Sequence, residues 1–343
     1  MPEGTPTIYD IAREAGVSIA TVSRVVRGEE NVSKKTREKV QAVIQSRNFM
    51  PSSLARGMSS RRSYTLGIVL PRLTNPNYAE IFTGASEEAR SRGYHISMFP
   101  WQSLIDPQGN QALTLASWRL DGVIICVEYT PENQGETLIR SLEALRSYMP
   151  VVLIGCVPQC LQYPAITYHM AEIVRQTVSY LTGLGHEKIA LIGGMEADQD
   201  ESRRDVGYLE GLADHKLPFI SSYRVFCRGT PEEGEKALDA ILDGLMPAYW
   251  PTAVLALNDL VAMGLYRSAK KHGLSIPNDL SIMGCDNIVS AAYLSPALTT
   301  IDMCQQALGK RAVDLLLCGE DVRQRAEWKL VERESCGPVP QRL

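Results

Sequence analysis

Over residues 7–47 apolar residues recur at helical spacing, and beyond residue 63 that pattern gives way to short unbroken apolar runs. Ile8, Ile11 and Ala15 fall along one side of a segment that Thr7 can cap through its hydroxyl, with Asp10 where a first-turn carboxylate is favoured. Gly16 stops this helix. Ser18 can cap a second, whose Val22, Val25 and Val26 keep the spacing and whose C-terminal break is Gly28. Ser33 caps a third helix, Lys34 to about Arg47, and Val40, Val43 and Ile44 close a small three-helix core. With those stripes turned inward, Ile19, Ala20 and Arg24 face outward.

The later runs read as buried strands: 65–70, 95–99, 122–126 and 151–154, then 188–193, 223–226, 253–257 and 281–285. Amphipathic segments separate them, such as 79–92 and 134–147 in the first set and 171–184, 205–213, 232–245 and 260–272 in the second. Repeated β-α units predict an α/β fold with two doubly wound, parallel lobes behind an all-α helix-turn-helix head. Open parallel sheets bind ligands beyond the carboxyl ends of their strands, so the residues just after each run are the candidates. These are Asn75, Pro76, Asn77, Tyr78 and Trp101 in the first lobe, and Arg204, Asn258, Asp259, Asp286 and Asn287 in the second. A forked guanidinium, carboxylates, amides and flat aromatic faces suit a small polyhydroxylated or heteroaromatic molecule. Each also has a purely structural use: Asn258 or Asp259 can cap the next helix, Arg204 and Asp286 can pair with each other, and Tyr78 and Trp101 can pack in a core.

Charge narrows the reading of the head. Residues 1–63 hold 11 Lys and Arg against 6 Asp and Glu, a net of +5, while the chain as a whole is at −4. An ordinary helical hairpin needs no such local excess, whereas a phosphate-binding surface does. A major groove admits a helix, an arginine fork matches guanine O6 and N7, and small apolar side chains touch thymine methyls. Ser18, Thr21 and Ser23 can hydrogen-bond phosphates. At 343 residues, 45% apolar and 22% charged, the chain can bury two or three domain cores. No run approaches a membrane span and no signal peptide precedes the first helix, so a cytoplasmic location is expected. Eight scattered cysteines without paired CxxC motifs read as reduced thiols, and neither metal nor cofactor is expected.

The stretch DIAREAGVSIATVSRVV closely resembles the N-terminal signature of the lactose/galactose-repressor family of bacterial transcription regulators. GHEKIALIGG (185–194), AVLALNDLVAMG (253–264), IPNDLSIMGCD (276–286) and LSPALTTI (294–301) resemble that family's periplasmic-binding-protein-like core. The resemblance implies a DNA-binding head over 1–50, a hinge over 51–62 and an effector-binding core over 63–343, with one lobe at about 63–163 and 301–327 and the other at about 164–300 and 328–343. It assigns Ile19, Ala20 and Arg24 to base readout and Thr7, Ser18, Thr21, Ser23, Asn31, Ser33 and Thr36 to phosphates. Ala55 and Met58 fall in the hinge, Met58 where the family usually inserts leucine into the minor groove. With Gly57 beside Met58, a hinge that folds only on DNA is expected.

For the core the resemblance aligns Arg204, Asn258 and Asp286 with effector-clamping residues and Tyr168 with a cleft aromatic, beside Asn77, Tyr78 and Trp101. Cys126, Gly155, Gly229 and His169-Met170 depart from residues common in sugar-responsive members. The implied function is a repressor that binds a pseudo-palindromic double-stranded operator as a homodimer, without a membrane, under control of a carbohydrate or sugar derivative. A nucleoside or purine effector is the alternative. Two other classes fit less well: an enzyme, for which the sequence holds no G-x-G-x-x-G, P-loop or nucleophile-elbow motif, and a secreted solute-binding protein, which needs a signal peptide and no head.

Overall fold

The computed structural model describes residues 6–26, 31–49, 62–105, 111–127, 134–157, 161–194 and 204–339. The chain divides into two compact units, Met1–Tyr64 and Thr65–Leu343. Gly28, Ala55, Gly57, Met58 and Cys160 lie outside the described residues.

The first unit holds α1 (Ile8–Ala15), α2 (Ile19–Val26) and α3 (Lys34–Ser46). Thr7 and Asp10 form a full capping box: Thr7 Oγ1 accepts the Asp10 N–H at 3.3 Å and the Thr7 N–H donates to Asp10 Oδ2 at 3.0 Å. Gly16, at φ 60°, ends α1 in the left-handed conformation that glycine adopts without penalty. Ile11, Ala12, Ala15, Val22, Val25, Val40 and Phe49 bury together, with Ile8, Val26, Val43 and Ile44 around them. Ser18 receives the Thr21 N–H and Ser33 the Thr36 N–H, each at 3.2 Å.

The second unit is built on two six-stranded sheets. In chain order its strands are β1 (Thr65–Leu70), β2 (His95–Pro100), β3 (Gly122–Val127), β4 (Val151–Gly155), β5 (Ala165–Thr167), β6 (Ile189–Ile192), β7 (Arg224–Val225), β8 (Ala253–Ala256), β9 (Ser281–Cys285), β10 (Thr299–Asp302), β11 (Arg323–Arg325) and β12 (Lys329–Val331). The first sheet runs β11-β5-β4-β3-β1-β2 and is parallel throughout; the second runs β12-β10-β9-β8-β6-β7, with only β12 antiparallel. Strand order reverses beside β1 and β3 in one sheet and β6 and β8 in the other, the doubly wound arrangement expected.

Helices cover both faces: α4 (Pro76–Ser91), α5 (Gln111–Ser117), α6 (Gln134–Arg146), α7 (Met170–Gly183), α8 (Arg204–Asp214), α9 (Pro231–Gly244), α10 (Asp259–Lys271) and α11 (Gln305–Cys318). Each sheet has an apolar cluster on either side, as a β-α sandwich requires.

Strand pairing moves the lobe boundaries from the expected ones. β5, expected in the second lobe, pairs with β4 and β11 of the first sheet, and all of β10 belongs to the second. Three-residue strands such as β5, β11 and β12 carry too little pattern to be read before their partners are known. The expected strand 223–226 shrinks to two residues, because Tyr223 closes a 3₁₀ turn and buries its ring. α11 has no counterpart among the expected helices; Leu308, Ala312, Val313 and Leu316 form its buried stripe against the first sheet.

Candidate functional site

On the head, Ile19, Ala20 and Arg24 of α2 are exposed, and Ile19 keeps 41% of its surface open to solvent. These three residues lie on the face of the eight-residue α2 opposite its buried Val22 and Val25. Thr7, Ser18, Asn31 and Ser33 are exposed, and Thr21, Ser23 and Thr36 half-buried, with the cap hydroxyls at the helix N-termini. Backbone N–H groups left over there, together with Lys34 and Lys35 on the first turn of α3, favour anions.

In the second unit a cleft of about 600 Å³ opens between the two sheets at the carboxyl ends of their strands. The first sheet contributes Asn75, Asn77 and Tyr78 after β1, Cys126 at the end of β3, Gly155 and Cys156 at the end of β4, and Tyr168 after β5. The second contributes Arg204 at the start of α8, Arg228 to Thr230 between β7 and α9, Pro231 and Glu232 at the start of α9, Asn258 after β8, and Cys285 and Asp286 at the end of β9. Several helices begin at its walls: Asn75, Thr230 and Asn258 are the N-caps of α4, α9 and α10, Met170 opens α7 and Arg204 opens α8.

Asn258 both caps a helix and lines the cleft. Its Oδ1 accepts the Val261 N–H at 2.9 Å as a cap, while its amide nitrogen faces Gly229, where a Cβ would stand only 2.7 Å away. Gly229 therefore keeps the amide open to the cleft. Asp259, next in sequence, is fully buried: Thr300 Oγ1 donates to its Oδ1 at 2.6 Å and the Ile288 N–H to its Oδ2 at 2.9 Å. Burial raises its carboxyl, the Asp286 charge adds to that, and these two bonds oppose it. Asn287 likewise serves the scaffold, donating to Asp302 at 3.1 Å and accepting from Arg333 at 2.6 Å.

Asp286 is 8% exposed at φ 114°, a backbone state that non-glycine residues rarely hold. Burial pushes its carboxyl from 3.8 up to about 6, against the lowering by the Arg204 charge and by Asn75, whose Nδ2 donates to Asp286 Oδ2 at 3.3 Å. Arg204 itself is hydrogen-bonded to the Leu257 carbonyl, which aims the guanidinium along the cleft wall. The Tyr168 hydroxyl and Asn77 Oδ1 are buried with no hydrogen-bond partner among the described residues. Desolvation holds Tyr168 well above its ordinary value, so it stays a neutral donor. Two unsatisfied polar atoms on one cleft wall are costly unless a bound molecule meets them.

Trp101 is corrected. It forms a 3₁₀ turn after β2, is 6% exposed and packs in the apolar cluster with Leu104 and Leu115, outside the cleft lining. β2 is an edge strand, so its carboxyl end lies away from the point where strand order reverses. The lining also includes Arg72, Arg228, Cys156, Cys227 and Cys285, whose one signal in the sequence is a place at or just beyond a strand's end, and Glu232 on the first turn of α9.

A three-helix head joined to a two-sheet core with a ligand-sized cleft is the architecture of the bacterial regulators that couple a small molecule to DNA. Residues 7–52 match the family model "Bacterial regulatory proteins, lacI family", and residues 178–336 match "Periplasmic binding protein-like domain". Catabolite control protein A of Priestia megaterium is 32% identical over 90% of this chain and 91% of its own length. The HTH-type transcriptional repressor PurR of Photorhabdus laumondii subsp. laumondii is 33% identical over 91% and 89%. The lac repressor dimer bound to operator and the anti-inducer ONPF superposes with a TM-score of 0.83 at 26% identity, covering 97% of this chain and 99% of that one. The CelR–cellobiose complex superposes at 0.70, also at 26% identity, over 96% and 99%. The chain belongs to the lacI family of bacterial regulatory proteins and is a DNA-binding transcription regulator under small-molecule control. None of the helices among the described residues is long and apolar enough to cross a membrane.

Proposed function

We propose that the chain is a cytoplasmic, non-enzymatic repressor. A homodimer sets two heads on a pseudo-palindromic operator, and an effector in the cleft alters that binding. The head spans 1–50, the hinge 51–62 and the effector-binding core 63–343. Ile19, Ala20 and Arg24 read bases while Thr7, Ser18, Thr21, Ser23, Asn31, Ser33 and Thr36 hold phosphates. Hinge residues Ala55 and Met58 approach the minor groove.

One observation carries the effector site: the partnerless Tyr168 hydroxyl and Asn77 Oδ1 on the cleft wall. A carbohydrate or sugar derivative answers both, because each sugar hydroxyl donates and accepts, and Arg204, Asn258 and Asp286 supply further partners. The structurally similar CelR is described with cellobiose. A flat heteroaromatic such as a purine is the second reading, favoured by the thiol and aliphatic floor of Cys126, Cys285 and Ile154 beside Tyr78.

A gel shift with palindromic operator fragments, repeated with mono- and disaccharides and with purine bases, tests the proposal. A metabolite that both shifts the operator equilibrium and raises the unfolding midpoint supports it. Undiminished response after Arg204→Ala and Tyr168→Phe places the effector elsewhere.

A further inference from the structure

Asn75 makes two bonds of different reach. Its Oδ1 accepts the Asn77 N–H at 3.0 Å, which caps α4 within the first lobe. Its Nδ2 donates at 3.3 Å to Asp286 of the second lobe. Asp286 is anchored from behind: its N–H donates to the Ile301 carbonyl at 2.8 Å and its own carbonyl accepts from Gln305 Nε2. Ile301 and Gln305 flank the crossover from β10 into α11, where the chain returns to the first lobe. Asp286 is thus fixed to the crossover, and Asn75 grips its carboxylate from across the cleft.

We propose that Asn75 and Asp286 form a clasp that holds the ligand-free cleft closed and competes with the effector for the Asp286 carboxylate, which makes Asn75 a positioning residue for the regulatory response. The regulatory consequence rests on the cleft being the effector site; closure itself does not. A molecule that takes over the Asp286 oxygens frees the Asn75 amide, and the loss of one inter-lobe bond shifts the balance between closed and open lobes at the residue tied to the crossover. The groups facing Asp286 are Arg204 on α8, Asp259 on α10, Cys285 on β9 and Tyr168 beyond β5, in addition to Asn75.

The half-buried thiols of Cys156 and Cys227 line the same cleft and report its opening. The test is labelling of these two cysteines in the full-length protein, without effector, by dithiodipyridine with peptide mass spectrometry, each rate taken relative to wild type at the same pH. Asn75→Ser and Asn75→Asp both keep a side-chain oxygen that caps α4, so folding is retained. Asn75→Ser, too short to reach Asp286, labels about tenfold faster near pH 8, the factor expected for one lost hydrogen bond to a charged group, and still about fivefold faster near pH 5, where Asp286 is protonated and the lost bond is a neutral one. Asn75→Asp sets two carboxylates together; it labels about tenfold faster near pH 8, and the excess falls to within about twofold near pH 5, where a shared proton restores a donor. Asp286→Asn keeps an acceptor without the charge and labels like wild type near pH 5, where Asp286 is itself neutral. Wild-type rates in both Asn75 variants overturn the clasp, as does an Asn75→Asp excess independent of pH. Because no effector is used, a wrong assignment of the effector site leaves this result standing.

Discussion

Gly264 on α10 lies directly against the carbonyl oxygen of Pro231 on α9, and a Cβ at Gly264 would overlap that oxygen and the Glu235 nitrogen. Gly234 on α9 meets the Val261 carbonyl in the same way, so the helices cross backbone to backbone. This crossing sets Thr230 and Asn258, the two N-caps, side by side on the cleft wall.

Gly264→Ala is expected to destabilise the core by about 2 kcal/mol or more, because the obstruction is backbone and cannot rotate away. Urea unfolding checks the stability. Effector affinity should fall with it, since separating the helices shifts Asn258; unchanged stability would mean the crossing is looser than described.

Asp286 yields a pH prediction. Its folded carboxyl is raised from 3.8 to about 6, so the folded state holds the proton more tightly than the unfolded chain. Its contribution to stability is fully present below 3.8 and is lost as pH rises through about 6. Asp286→Asn is neutral throughout, so its advantage over wild type should grow across that window and level off above it. Thermal midpoints at a series of pH values decide the matter, and a constant difference would exclude the shift.

His186 is 1% exposed and sits between Thr252 Oγ1 at 3.0 Å, Ser281 Oγ at 3.1 Å and the Gly337 carbonyl at 3.0 Å. Burial lowers its pKa below 6.5, so its stabilising contribution is present above 6.5 and is lost as pH falls through the lower folded value. His186→Gln should remove that acid-sensitive component from the stability curve, at a cost of about 1–3 kcal/mol near neutrality for partners left unsatisfied. An acid limb equally steep in the variant would refute it.

On the head, Arg24→Ala should cost about 1–3 kcal/mol of operator binding and relax base preference at one position per half-site. Lys35→Ala should lower affinity evenly across sequences and flatten the salt dependence, as loss of a phosphate contact does. Binding isotherms on operator and scrambled duplexes at several salt concentrations separate the two. Equal loss of selectivity in both variants would contradict the assignment.

The head could be read from the chain because its determinants are local. The Thr7–Asp10 box spans four residues, Gly16 marks the stop, and the Ile11, Ala15, Val22 and Val25 stripe follows helical periodicity alone. The long buried strands were legible for the same reason, as runs such as Thr65–Leu70 are apolar on both faces. Strand order was not legible, because periodicity says nothing about which distant strand supplies the hydrogen-bond partner. Strand order excludes Trp101 from the cleft by placing β2 at an edge, and it assigns β5 and β10 to their sheets. Asn75 meets Asp286 across 211 positions, and the burial that raises the Asp286 carboxyl and strands the Tyr168 hydroxyl exists only once both lobes surround them. Residue types supplied the chemistry of the cleft; long-range packing decided which of them act there and in what ionisation state.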